Sequence, residues 1–200
     1  MSVQSLARFV ATLATIAIVP APAFAALITF EGLANGTVIT NQFPDVTFSA
    51  NAGFQNLVSA QPGIGFGTNF ICTAPIGGFI NCAQETNLDF TAPVNSLQFW
   101  QVGDNAIGVV AQVDVFENFA FSSTVDILGS NDFNTPNLVD LTSFTDVTRI
   151  RIHSITDPGG VGWDNFEFDE SASVSEPATL ALLAIGLVGA RLERRRRQRG

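Results

Sequence analysis

The sequence predicts an all-β body, an antiparallel sandwich or barrel, and three observations predict it. The first is composition. The 200 residues include 18 Phe and 17 Gly, no Lys and no Tyr, and only 14% charged against 46% hydrophobic residues. Chains rich in Phe and Gly and poor in helix-favouring charges lean towards strands. The same proportions exclude intrinsic disorder, which needs low hydrophobicity and high charge. The second is alternation. Val109, Ala111, Val113 and Val115 share one face while Gln112 and Asp114 lie on the other. Phe121, Val125 and Ile127 oppose Ser122, Thr124 and Asp126, and Ile150 and Ile152 oppose Arg149, Arg151 and His153. One face in and one face out is the antiparallel pattern. The third is punctuation: Gly, Asn and Pro interrupt the β-rich runs at short intervals.

The elements follow in order. Residues 1–25 read as a secretory signal peptide. Arg8 supplies the positive region, Phe9 to Val19 the apolar region, and Ala23-Phe24-Ala25 a small-x-small site with cleavage after Ala25. The apolar run is short for an anchor and is broken by Pro20 and Pro22. At the other end, residues 173–200 hold Glu176-Pro177, an apolar run over 178–190, and a cluster of arginines from Arg191 to Arg199. Arginines stay on the cytoplasmic side of a membrane, so the body lies outside it. Glu-Pro, a short Leu/Ala/Gly helix and a terminal Arg cluster resemble the PEP-CTERM sorting signal of Gram-negative bacteria. Ser175 stands where that family usually has Pro, leaving Glu176 and Pro177 as the core of the motif. The resemblance implies an exosortase-type processing enzyme as partner, transient contact with the inner membrane, and association with extracellular polysaccharide.

Residues 26–172 form one domain of ordinary size, long enough for a core. Candidate strands are 26–31, 37–40, 45–50, 79–83, 87–91, 94–102, 106–117, 120–128, 136–141, 146–155 and 161–168. Between residues 26 and 176 there are two basic residues, Arg149 and Arg151, against 17 acids, a formal charge of −15. Nothing there neutralises phosphates, which excludes a nucleic-acid-binding body.

Cys72 and Cys82 are the only cysteines, with Pro75 and Gly77-Gly78 between them. In an exported protein a disulfide is the expected state. A metal pair lacks the further Cys or His that would complete a site.

His153 is the single histidine, so a Ser-His-Asp triad has to use it. It continues the polar face of Arg149 and Arg151, where a solvated side chain is the simpler reading. Gly-x-Ser-x-Gly is absent. Hard cations suit the acidic body better, since they take oxygen ligands and relieve self-repulsion. In Gly162-Trp163-Asp164-Asn165-Phe166-Glu167-Phe168, alternation places Asp164 on the core face with Phe166 and Phe168. A carboxylate there needs strong partners, either backbone N–H groups or a cation. Trp100, Trp163 or Phe116, if exposed, suit stacking on a sugar ring.

Ile28-Thr29-Phe30-Glu31 and Gly162-Trp163-Asp164-Asn165-Phe166 resemble the opening and closing strands of jelly-roll modules such as carbohydrate-binding modules and MAM-type domains. That resemblance implies a jelly-roll β-sandwich with neighbouring first and last strands, and a structural Ca2+ with Glu31 and Asp164 as ligands. Glu31 lies on the face opposite Ile28 and Phe30, so it has to reach such a site from a strand end.

The expectation is a non-catalytic exported sandwich, delivered to the periplasm, cell surface or extracellular matrix, with structural or adhesive work that includes polysaccharide binding. Two alternatives stand beside it. One is a secreted hydrolase of polysaccharides or esters; the other is a membrane-tethered periplasmic protein that keeps its C-terminal helix.

Overall fold

The computed structural model describes residues 25–64 and 67–170. Those residues contain no helix and eleven strands. In chain order they are β1 (Ala25–Ile28), β2 (Val38–Ile39), β3 (Val46–Ala50), β4 (Phe54–Ala60), β5 (Asn69–Pro75), β6 (Thr86–Val102), β7 (Val109–Glu117), β8 (Ala120–Leu128), β9 (Asn137–Leu141), β10 (Val147–His153) and β11 (Gly162–Glu170). Every pairing is antiparallel.

The long β6 belongs to both layers of a sandwich. Its first half lies between β3 and β10, and that sheet continues through β7 to β8. Its second half lies between β9 and β11, and that sheet continues through β5 and β4 to β2. The crossing is local chemistry. Pro93 has no N–H to give a ladder, and Ser96 takes a left-handed φ of 53°. The inward positions therefore change phase, from Leu88 and Phe90 before the bend to Leu97 and Phe99 after it. The two expected strands 87–91 and 94–102 are one bent strand for this reason.

The core lies between the layers. Phe48, Leu88, Val113, Val115 and Ile150 face Val58, Ile71, Phe99, Phe166 and Phe168. Phe99 stacks on Phe166 with ring centres 5.0 Å apart, and Trp163 meets Phe99 edge-on at 5.9 Å. Phe30 meets Phe48 and Phe166 edge-on. Each such pair adds about 0.5–1.5 kcal/mol beyond the area it buries. Phe30, Phe48, Phe99, Phe166 and Trp163 thus form one aromatic centre that joins the segment after β1 to β11. β1 pairs with β11 from Ala25 opposite Asp169 to Ile28 opposite Phe166, so first and last strands are neighbours. The fold is an antiparallel β-sandwich of the jelly-roll type.

β4 and β5 are absent from the expected strands, and 79–83 is loop. β5 is buried on both faces. Ile71 enters the main core, while Phe70 and Cys72 join Ile64 and Val102 in a second cluster on the opposite side. Such a strand has no polar face to alternate. β4 and β5 also carry polar side chains into the interior. Thr73 Oγ1 donates to Asn56 Oδ1 and lies 2.5 Å from Thr86 Oγ1, all three side chains being buried.

Two strands depart from simple alternation. The β7–β8 register shifts between Val109 and Ala111, so Val110 turns inward and Val109 outward. It shifts again between Val115 and Phe116, which turns Phe121 outward against Phe116. Val109 and Phe121 are therefore not core residues, because a bulge flips every side chain beyond it.

Candidate functional site

The Phe30-Glu31 pair follows β1 and divides the work between two faces. Phe30 is buried among Phe43, Phe48 and Phe166. Glu31 sits in the turn that follows and reaches across to the start of β5. Its Oε1 accepts the backbone N–H groups of Thr68 at 2.8 Å and Asn69 at 2.9 Å, and its Oε2 accepts the Thr68 hydroxyl at 3.2 Å. Asn69 answers by donating its side-chain amide to the carbonyls of Phe30 and Leu33. These bonds hold the Glu31 carboxyl below the usual glutamate range, the Asn69 N–H first among them. Gly67 is required by the approach: a Cβ there would lie 2.0 Å from Glu31 Oε1. Gly67, Thr68 and Asn69 carried no signal in the sequence, because their partner lies 37 and 38 positions away.

Asp164 is 2% exposed, but on the other face from the expected one. Trp163 pairs with Gln101 and packs on Phe99, so it faces the core. Asp164 pairs with Trp100 and shares its outward side. Asn165 has a φ of 47°, and the β11–β6 register shifts between Asp164 and Glu167. That bulge returns Phe166 and Phe168 to the core face and leaves Asp164 opposite them. Asp164 Oδ1 accepts the N–H of Asn165, closing the bulge. Trp163 is fully buried and is thereby excluded as a sugar platform; Trp100 and Phe116 are partly covered. Both Glu31 and Asp164 hold hydrogen bonds within the fold. Among the described residues no three His, Cys, Asp or Glu side chains form a metal cluster.

Cys72 and Cys82 are joined, with Cα atoms 4.7 Å apart. The bond pins the 76–85 loop to β5, and Val161 N donates to Cys82 O on its other side. Two buried aspartates fasten the neighbouring loops. Asp104 accepts the N–H groups of Ala106 at 2.8 Å and Ser130 at 2.5 Å. Asp157 accepts those of Gly159 at 2.6 Å and Asn105 at 3.2 Å. The turn sequence Asp157-Pro158-Gly159-Gly160 was the available clue to this role.

The outward face of β10 carries Arg149, Arg151 and His153. Arg149 pairs with Asp89 and lies 5.9 Å over the Phe116 ring. Arg151 donates to Glu85 at 2.6 Å, which raises its pKa further, and stands 3.8 Å from Asp114. His153 Nδ1 is 2.8 Å from Ser154 Oγ, and its Nε2 is 3.2 Å from Asp114 Oδ1. Burial opposes ionisation of Asp114, but Thr124, His153 and Arg151 together hold its carboxyl below the usual range.

The expected cleavage site touches the described residues only at Ala25, the first residue of β1. Glu176, Pro177 and the 178–190 apolar run lie outside them. The C-terminal segment matches the family described as "PEP-CTERM protein-sorting motif" over residues 173–197.

Residues 173–197 are a PEP-CTERM sorting motif.

This motif implies export, membrane-associated sorting in Gram-negative bacteria and processing by an exosortase-type system. No curated protein matches the chain. Solved structures similar to it include the K2 cleaved adhesin domain of Lys-gingipain, 14% identical, covering 74% of this chain and 98% of that one, TM-score 0.45. The K1 cleaved adhesin domain of Lys-gingipain from Porphyromonas gingivalis W83 is 16% identical, covering 74% and 99%, TM-score 0.42. An isomalto-dextranase of Arthrobacter globiformis T6 complexed with panose is 13% identical, covering 74% of this chain and 33% of that one, TM-score 0.38.

Proposed function

We propose that the PEP-CTERM chain is an exported, non-catalytic protein of the cell envelope or extracellular matrix whose sandwich acts in adhesion by binding polysaccharide. The sorting motif at 173–197 carries this reading. It sends to the cell exterior a body in which Glu31, Asp104 and Asp157 hold loops in place. Intact mass of the native mature protein tests the processing. The expected species starts at Ala26 and lacks the Arg-rich tail. A mature form that still ends in Arg199-Gly200 overturns exosortase processing and favours a protein tethered by its C-terminal helix.

A second reading rests on the string Ser154–His153–Asp114, which contains the residue types of a hydrolase triad. Ser154 is the chain neighbour of His153, and the string sits beside the Arg151–Glu85 pair on a charged sheet face. Purified body assayed on a panel of esters and glycans decides it. The proposed function predicts no turnover; turnover abolished by Ser154→Ala establishes the hydrolase.

A further inference from the structure

One open groove of about 290 Å3 lies on the outer side of the second sheet, where seven chain segments meet, those of Phe70 and of Val102 and Gly103 among them. The end of β4 supplies Ser59 and the turn after it Gln61, and Asn35 lies beside them. The disulfide loop supplies Ile80 and Cys82, the β8–β9 loop supplies Phe133, and Gly159, Gly160 and Gly162 come from the entry to β11. The geometry points to this groove as the binding site for an uncharged sugar segment of a polysaccharide, with Phe133 as the stacking platform. The proposal rests on the polysaccharide-binding reading and deepens it.

Three features of the lining select that ligand. First, among the described residues no Asp, Glu, Arg or His lines the groove, although the domain around it carries a formal charge of −15. An anionic polymer would approach a negative body and find no cation to receive it. Second, the lining is divided as a sugar ring is. Phe133, 42% exposed, and Ile80 offer apolar surface for C–H faces. Asn35, Ser59 and Gln61 offer amide and hydroxyl groups for ring hydroxyls. Asn35 gives its side-chain carbonyl to Ala60 N–H, so its amide nitrogen is the group left to donate. Third, the floor is closely packed and apolar. Phe70 and Val102 line it, and Gly162 lies against Phe70 and Gly160 against Cys82 with no room for a Cβ at either position.

The groove is also braced. The Cys72–Cys82 bond fixes one wall, and Asp157 and Asp104 fasten the loops that carry Gly159 and Phe133. A preset site loses less entropy on binding. Its size, at the lower end of the roughly 300–1,000 Å3 typical of ligand pockets, suits one or two rings. A protein partner needs about 800 Å2 on each side, which this groove alone does not offer.

The test is a glycan array with the folded exported protein, followed by titration of a neutral oligosaccharide hit. Wild type should bind neutral glycans and not uronic-acid polymers. Phe133→Ala should weaken the hit at least about tenfold, Phe133→Trp should retain it, and Asn35→Ala with Gln61→Ala should weaken it further. Arg149→Ala, on the other sheet, should bind as wild type. Melting temperatures confirm that the variants are folded, and amide shifts of wild type on titration locate the contact without mutation. If neutral glycans bind but Phe133→Ala is silent and the shifts fall elsewhere, the groove is overturned while the polysaccharide reading stands. Preference for uronic-acid polymers also overturns the uncharged-sugar site. Binding of no glycan overturns both, and saturation by a protein ligand instead assigns the face to a protein partner.

Discussion

Glu31 and Asn69 hold each other through both main chain and side chain. The Glu31 carboxylate accepts the Asn69 N–H at 2.9 Å, and the Asn69 amide donates to the carbonyl of Phe30 at 3.0 Å. This reciprocal pair locks the end of β1 to the start of β5. It ties the first strand of the sandwich to a strand it does not pair with.

The pair makes stability depend on pH. The Glu31 carboxyl is held below its ordinary range, chiefly by the Asn69 N–H. A depressed acid contributes stability that is full above the unfolded value, near 4.3, and is lost as pH falls through the folded value. Melting temperature measured between about pH 6 and pH 3 should fall less steeply in Glu31→Gln than in wild type. At neutral pH the same variant should lose on the order of 1 kcal/mol, since the bonds are exposed to solvent. Identical pH slopes would remove Glu31 from this role.

Calcium at Glu31 and Asp164 is a separate proposal from the jelly-roll resemblance. If the pair ligates it, millimolar Ca2+ raises the melting temperature at constant ionic strength, EDTA lowers it, and Asp164→Asn abolishes the response. Binding only the folded state stabilises by about 2.7 kcal/mol at 100-fold over Kd. Equal action of Mg2+, with the response intact in Asp164→Asn, assigns the effect to screening of the acidic surface. Asp164 then acts as a hydrogen-bonded carboxylate of the fold, accepting the Asn165 N–H.

The Cys72–Cys82 bond should stabilise the body. The cysteines are 10 positions apart. Closing so short a loop is worth about 2–3 kcal/mol in the chain-entropy model. Denaturant unfolding of the double variant Cys72→Ala, Cys82→Ala should show a loss of that size. Thiol labelling of unreduced, denatured native protein should find no free cysteine; two labelled residues would refute the bond.

Gln101 is a buried cost within the core. It is 1% exposed and faces inward opposite Trp163. Among the described residues neither its amide oxygen nor its nitrogen has a partner. A buried polar group without a bond costs about 1–3 kcal/mol, and an apolar residue of similar shape removes that cost. Gln101→Met should therefore raise the unfolding free energy, measured by denaturant titration, by about 1 kcal/mol or more. A clear destabilisation would mean that the amide has a bonding role.

By itself the sequence determined whatever depends on neighbouring residues. β8 was expected over the same residues that form it, and β10 within two residues, because their two faces differ and a period of two is visible in one strand. The terminal Glu-Pro, apolar run and arginines were readable because a sorting signal acts as a linear segment. Tertiary structure decided the rest. β4 and β5 had no visible period because β5 is covered on both sides by residues distant in sequence. The bulge at Asn165 reversed the face of Asp164, since one extra residue shifts the alternation and composition does not announce it. Glu31 found partners 37 and 38 residues away, and the groove drew its lining from seven segments spread from Asn35 to Gly162. A strand pattern is a local property of alternating burial; a site made where loops converge exists only once the two sheets have closed on their core.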